Sequence, residues 1–132
     1  MGQRQLTKIE AAVAEIFMAA HDGANLCCTV AALNTDGLVV SIDVMADAIN
    51  ISPYPYGDEP LARLQMSGAL DELAGMELEN VDWDANGFAT VGIGGNAVAD
   101  VARLVERTFT RLLRCDEATY AVATSTKDLG PS

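Results

Sequence analysis

Residues 26–45 constrain the fold more than any other part of the chain. LCCTVAAL (26–33) and LVVSIDVM (38–45) are β-rich runs separated only by Asn34-Thr35-Asp36-Gly37. Four residues rich in Asn, Asp and Gly close a tight turn but cannot carry a crossover, so the two runs must lie side by side and antiparallel. In the second run Leu38, Val40, Ile42 and Val44 are all apolar, whereas Val39, Ser41, Asp43 and Met45 are mixed. Successive side chains point to opposite faces, so this alternation predicts a sheet with one face buried. A third strand is predicted over 48–52 (AINIS), after a kink near Ala46-Asp47.

Helical patterns flank these strands. Leu6, Ile9, Val13, Ile16, Phe17 and Ala20 fall on one stripe at 3.6-residue spacing, predicting an amphipathic helix over 7–22. Thr7 with Glu10 reads as its capping box and Gly23 as its stop. Residues 53–58 (PYPYGD) carry two prolines that exclude a central strand, so they read as a loop. The loop feeds a helix over 59–74, capped by Asp58 or Glu59, with Pro60 in its first turn and Gly75 at its end. Runs 76–83 and 88–93 flank Asn86-Gly87, a strong hairpin signal. Asn96 is then expected to cap a helix over 97–114 whose inner face is Val98, Val101, Leu104, Val105, Thr108, Phe109 and Leu112. The tail from Asp116 is polar and small; residues 118–124 could pair as an edge strand, and the last few residues are expected to fray.

The resulting order, α-β-β-β-α-β-β-α, contains no repeated strand–helix–strand unit. It therefore predicts an α+β fold, an antiparallel sheet with helices packed on it, rather than a doubly wound parallel sheet. The 132 residues suit one domain spanning 1–132, with a core over about 5–114 and a partly flexible tail over 116–132.

Nineteen Asp and Glu against eight Lys and Arg give a net charge of −11. That charge repels phosphate backbones and anionic lipid and suits a partner with a basic surface. No apolar run approaches the ~18 residues that would span a membrane, and Met1-Gly2-Gln3-Arg4 lacks the order of a signal peptide. The three cysteines include an adjacent pair, Cys27-Cys28, and form no C-x-x-C, which reads as reduced structural thiols and a cytoplasmic location.

Each chemical motif fails at a nameable position. Asp82-Trp83-Asp84-Ala85-Asn86-Gly87 matches the first half of a calcium loop, but the twelfth position, which must supply a bidentate carboxylate, is Ile93. Gly92-Ile93-Gly94-Gly95-Asn96-Ala97 fits G-x-G-x-x-A between a strand and a helix. It nominates Gly92, Gly94, Gly95 and Asn96 as a small-ligand or nucleotide site, although the preceding strand belongs to an antiparallel hairpin. His21 is the only histidine and sits at the end of the first helix. A lone histidine with scattered cysteines makes no zinc site and no triad. The expectation is a non-enzymatic chain with no metal and no cofactor.

Two surfaces remain as partner sites. Arg103, Arg107, Arg111 and Arg114, half of all the basic residues, recur at spacings that align them along the last helix. Tyr54 and Tyr56 sit on the proline-rich loop, where exposed tyrosines would anchor an interface.

The helix LTKIEAAVAEIFMAA, the hairpin CCTVAALNTDGLVVSIDV, the helix PLARLQMSGALDEL and the run MELENVDWDANGFATVGI leading into NAVADVARLVERTFTRLL together resemble the type III secretion chaperone-like fold, shared with the YbjN-like proteins, over about residues 5–114. The resemblance implies a cytoplasmic homodimer that binds protein clients on its helices and sheet without catalysis. No residue role carries over, and the tail after Arg114 departs from the minimal pattern.

Overall fold

The hairpin over 26–45 forms and sits inside a six-stranded sheet, except that its second strand starts at Val39 and leaves Leu38, expected on the buried face, 60% exposed. The computed structural model describes residues 3–73, 75–85 and 87–129. In chain order its elements are α1 (Gln3–His21), β1 (Leu26–Leu33), β2 (Val39–Val44), β3 (Ala48–Tyr54), α2 (Pro60–Ser67), β4 (Glu79–Trp83), β5 (Gly87–Gly92), α3 (Val98–Arg107) and β6 (Ala123–Asp128). Every neighbouring pair of strands is antiparallel, in the order β4-β5-β3-β2-β1-β6. The fold is α+β in the expected order, with β6 added at the far edge.

Register puts Cys28, Val30 and Ala32 opposite Val44, Ile42 and Val40, and carries the same face on through Ile49, Ile51, Ala89 and Val91. These are buried, and the helices close over them with Ile9, Val13, Ile16, Leu64, Val101, Leu104, Val105 and Phe109. The apolar stripes read at 3.6 spacing are therefore the faces that meet the sheet.

Several boundaries move for local reasons. The first helix starts ahead of Thr7, so Thr7 and Glu10 lie inside it rather than at a cap. Its end is as expected: Gly23 has φ +86, and Ala24 N–H donates back to Ala19 O. α2 stops at Ser67, not near 74, because Gly68 takes φ +85 and its N–H turns back to Gln65 and Leu64 carbonyls. Its N-terminus lacks a cap from its own chain neighbours. Asn80 of β4 supplies one: its Oδ1 accepts from Leu61 N–H at 2.9 Å and its Nδ2 donates to Glu59 at 3.1 Å.

β3 runs through Pro53 to Tyr54 although prolines argued for a loop there. Pro53 is tolerated because the β2 ladder ends at the Ser41–Ser52 pair and the β5 ladder shifts register between Ile51 and Tyr54. α3 is shorter than expected: after Arg107 the chain widens into one π-helical turn, Thr108–Leu112. The buried Thr108 hydroxyl donates to Leu104 O at 2.7 Å, and the wider turn buries Leu112 and Leu113 together. Asn96 does not cap this helix; Ala97 occupies the cap position. The predicted turn residue Asn86 lies outside the described residues.

The tail is anchored before it reaches the sheet edge. Tyr120 and Val122 are buried, while Gln5 and Lys8 of α1 donate to their carbonyls, Lys8 at 2.7 Å. β6 then pairs with β1 from Ala31–Ala123 to Leu26–Asp128.

Candidate functional site on the open face of the sheet

The face of the sheet turned away from the helices carries the residues of opposite parity. One row runs across all six strands: Asp82, Thr90, Asn50, Asp43, Thr29 and Ser125. Side-chain hydrogen bonds tie it together, Thr29 Oγ1 donating to Asp43 at 2.6 Å and Thr90 Oγ1 to Asn50 at 3.0 Å. The next row is Ser52, Ser41, Ala31 and Ala123. Apart from the buried Cys27, the described side chains of this face are half-buried or exposed, and most are small.

The face ends on an apolar corner. Leu33 and Val39 are direct cross-strand neighbours, 58% and 69% exposed; Leu38, 60% exposed, precedes β2 and carries the opposite parity. Phe88 on β5 shares the face and is partly exposed. At the opposite end lies a shallow groove lined by Asp47, Glu77, Glu79, Val81 and Gly92. The face thus combines an apolar corner, a flat centre of small polar groups and a rim of carboxylates.

Sequence reasoning nominated other surfaces, and the structure disperses them. Arg107 pairs with Glu72 at 3.0 Å, Arg111 with Asp71 at 3.1 Å and also with the Gly68 carbonyl, and Arg114 with Asp36. These three guanidiniums clasp the last helix region to the segment after α2 and to the β1–β2 turn. Only Arg103 keeps an exposed position without such a pair among the described residues. Arg114 also leaves the helix, with φ +67. Tyr54 is fully buried rather than exposed, because β3 continues to it, and its hydroxyl donates to Asp58 O. Tyr56 is half-buried, edge-on to Tyr54 at 5.2 Å and covered by the Arg63 guanidinium at 4.2 Å. Arg63 itself pairs with Asp58. The tyrosine loop is a closed cluster.

The glycine turn is committed elsewhere too. Asn96 accepts from Glu77 N–H at 2.9 Å and donates to Glu77 and Ile93 carbonyls, pinning the turn to the irregular segment that precedes β4. Gly92 and Gly94 border the carboxylate-lined groove, which opposes a phosphate and suits a cationic group. In the calcium-like run, Asp82 belongs to β4, and Ile93, at the position of the missing ligand, is fully buried. No group of three His, Cys, Asp or Glu among the described residues is placed to hold a metal ion.

Two titratable features escaped sequence reasoning. Tyr120 donates its hydroxyl to Glu106, whose carboxyl is held above its usual value by burial, against the opposing effect of that hydrogen bond. Burial pushes the Cys115 thiol up to about 11 and raises Cys27, with Asp43 adding to the latter. Both thiols are therefore poor nucleophiles at neutral pH. Among the described residues no helix is long and apolar enough to cross a membrane.

No known protein family matches this sequence, and neither a curated protein nor a solved structure matches it.

Proposed function

We propose that the chain is a non-catalytic protein-binding domain, chaperone-like or adaptor in character, that works as a homodimer and takes basic, incompletely folded client segments on the open face of its sheet. The observation that carries this reading is the exposed cross-strand pair of Leu33 and Val39 at the end of that face. Such patches mark interaction sites, because leaving them in water forfeits burial worth roughly 25 cal/mol per Å². The small side chains beside the corner let an extended segment approach the sheet closely.

Charge supports the choice of client. Arg63, Arg107, Arg111 and Arg114 are spent on internal pairs, so the net −11 is expressed at the surface largely by carboxylates. Asp43, Asp47, Glu79 and Asp82 border the proposed site and steer a basic partner towards it. Free, buried thiols fit a reducing compartment such as the cytoplasm. The role agrees with what the resemblance to the type III secretion chaperone-like proteins implies.

Aggregation of reduced lysozyme, a basic unfolding protein, tests the reading by light scattering. The native chain in excess suppresses scattering, and Leu38→Asp with Val39→Asp loses the effect while its circular dichroism is unchanged. Equal scattering with and without the native chain overturns the proposal.

A further inference from the structure

We infer that β6 is the seam of the homodimer: a second copy adds its own β6, antiparallel, to the free edge of the sheet in the register centred on Ser125. The inference rests on the homodimer reading above and names the surface that makes it.

The two edges of the sheet differ. β4 carries Glu79 and Asp82 and a register shift between Asn80 and Asp82, devices that discourage strand addition. β6 has neither a bulge nor a proline, and its two charged residues, Lys127 and Asp128, lie at one end: its register against β1 is unbroken from Ala123 to Asp128, and all six of its residues are exposed. Its Thr-Ser-Thr centre suits an extended strand. An edge of this kind is a template for another chain.

Charge selects this edge for a second copy. Two chains of −11 repel one another over most of their surfaces, yet residues 118–126 (ATYAVATST) contain no charged side chain. Like-charged copies meet the least repulsion there.

The register follows from symmetry and from Leu129. Leu129 N–H donates to Asn25 O, so the backbone groups of Thr124, Thr126 and Asp128 face outward, and a two-fold antiparallel pair centres on a single residue. Centring on Lys127 would oppose two ammonium groups, and of the other centres only Ser125 sets Leu129 opposite Ala121. Centring on Ser125 sets Thr124 opposite Thr126, Ala123 opposite Lys127 and Ala121 opposite Leu129 of the second copy. Leu129 is exposed, and the β1–β6 register continued by two residues puts Ala121 beside Leu33. The leucine of each copy therefore enters the groove that Leu33, Thr35, Thr119 and Ala121 line on the other. Two symmetric contacts extend the backbone seam, and Leu38 and Val39, farther from the edge, stay free for a client. A seam this short buries no more than about 1,200 Å², the scale of a weak, reversible dimer.

Sedimentation equilibrium at roughly 100 μM, well above the Kd of a micromolar dimer, and disulfide trapping of single-cysteine substitutions test the seam together. The native chain sediments as a dimer. Ser125→Cys traps it on mild oxidation, because directly opposed Cα atoms lie about 4.5–5.5 Å apart, within disulfide reach. Ala123→Cys, opposite Ala31 in its own chain, does not, because its two copies are offset by about 13 Å along the strands. The unsubstituted chain, whose three thiols are buried, is the control. Ser125→Asp turns the dimer into monomer with unchanged circular dichroism. A native dimer that Ser125→Cys fails to trap, or that Ser125→Asp leaves intact, overturns the seam and spares the homodimer; a native monomer at this concentration overturns both.

Discussion

The Tyr120 hydroxyl donates to the Glu106 carboxylate at 3.1 Å, fastening the segment that leads into β6 onto α3. The carboxyl's pKa is raised in the folded chain, chiefly by burial. A carboxyl with a raised folded pKa contributes stability that is fully present below its unfolded value, about 4.3, and is lost as pH rises through the folded value. The charged form at pH 7 is thus the disfavoured one. Glu106→Gln keeps an oxygen for the Tyr120 hydroxyl and is expected to exceed the native chain in stability at pH 7, by at most about 1 kcal/mol because the group is only half-buried. The advantage closes at pH 4. Urea unfolding at the two pH values measures it, and a gap that ignores pH contradicts the assignment.

Asn80 caps a helix from a different element. Replacing it with alanine leaves Leu61 N–H without its acceptor and Glu59 without a donor. The expected loss is roughly 1–2 kcal/mol by urea unfolding. Asn80→Asp restores the acceptor but sets a charge against Glu59, so it recovers only part.

Two glycines are expected to differ in tolerance. Gly68 has φ +85, and a Cβ there would meet Arg111 Nη1 at 3.0 Å and Asp71 Oδ2 at 3.2 Å. Gly68→Ala is therefore expected to cost roughly 1–2 kcal/mol. Nothing lies within 4 Å of a Cβ on Gly94, whose φ is not positive, and Gly94→Ala should change stability by less than about 0.5 kcal/mol. Thermal unfolding of both variants separates them. A loss at Gly94 as large as that at Gly68 would contradict the open space around it.

The arginine clasp should be modest and uneven. Arg114 and Asp36 are both well exposed, so Arg114→Ala is expected to cost under about 0.5 kcal/mol. Arg111 bonds a carbonyl as well as a carboxylate, so Arg111→Ala should cost more, about 1 kcal/mol. Denaturant titration in low and high salt checks the order and the screening.

These residues also mark how far the sequence could be read. Strand parity around Asn34–Gly37 and the stripe from Ile9 to Ile16 were legible because both follow from local periodicity. The end of α2 was not, because a single glycine inside a helical pattern, as at Gly68, carries no local signal of a left-handed turn. Tyr54 was misread because Pro53 is excluded only from a strand paired on both sides, and pairing is a tertiary fact. The spacing of Arg107, Arg111 and Arg114 was visible, but their partners Glu72, Asp71 and Asp36 lie 35, 40 and 78 residues away and no local rule finds them. The apolar corner had a partial signal, since Val39 breaks the polar alternation of its own face beside the turn that brings Leu33 opposite.

A nuclear magnetic resonance titration of the isotope-labelled chain with a basic unfolded peptide tests the central claim most directly. Amide shifts are expected to concentrate at Leu38–Ser41 and Phe88–Thr90, on the open face beside the dimer seam. Shifts confined to the 92–97 turn or to α3, or no shifts at all, would contradict it.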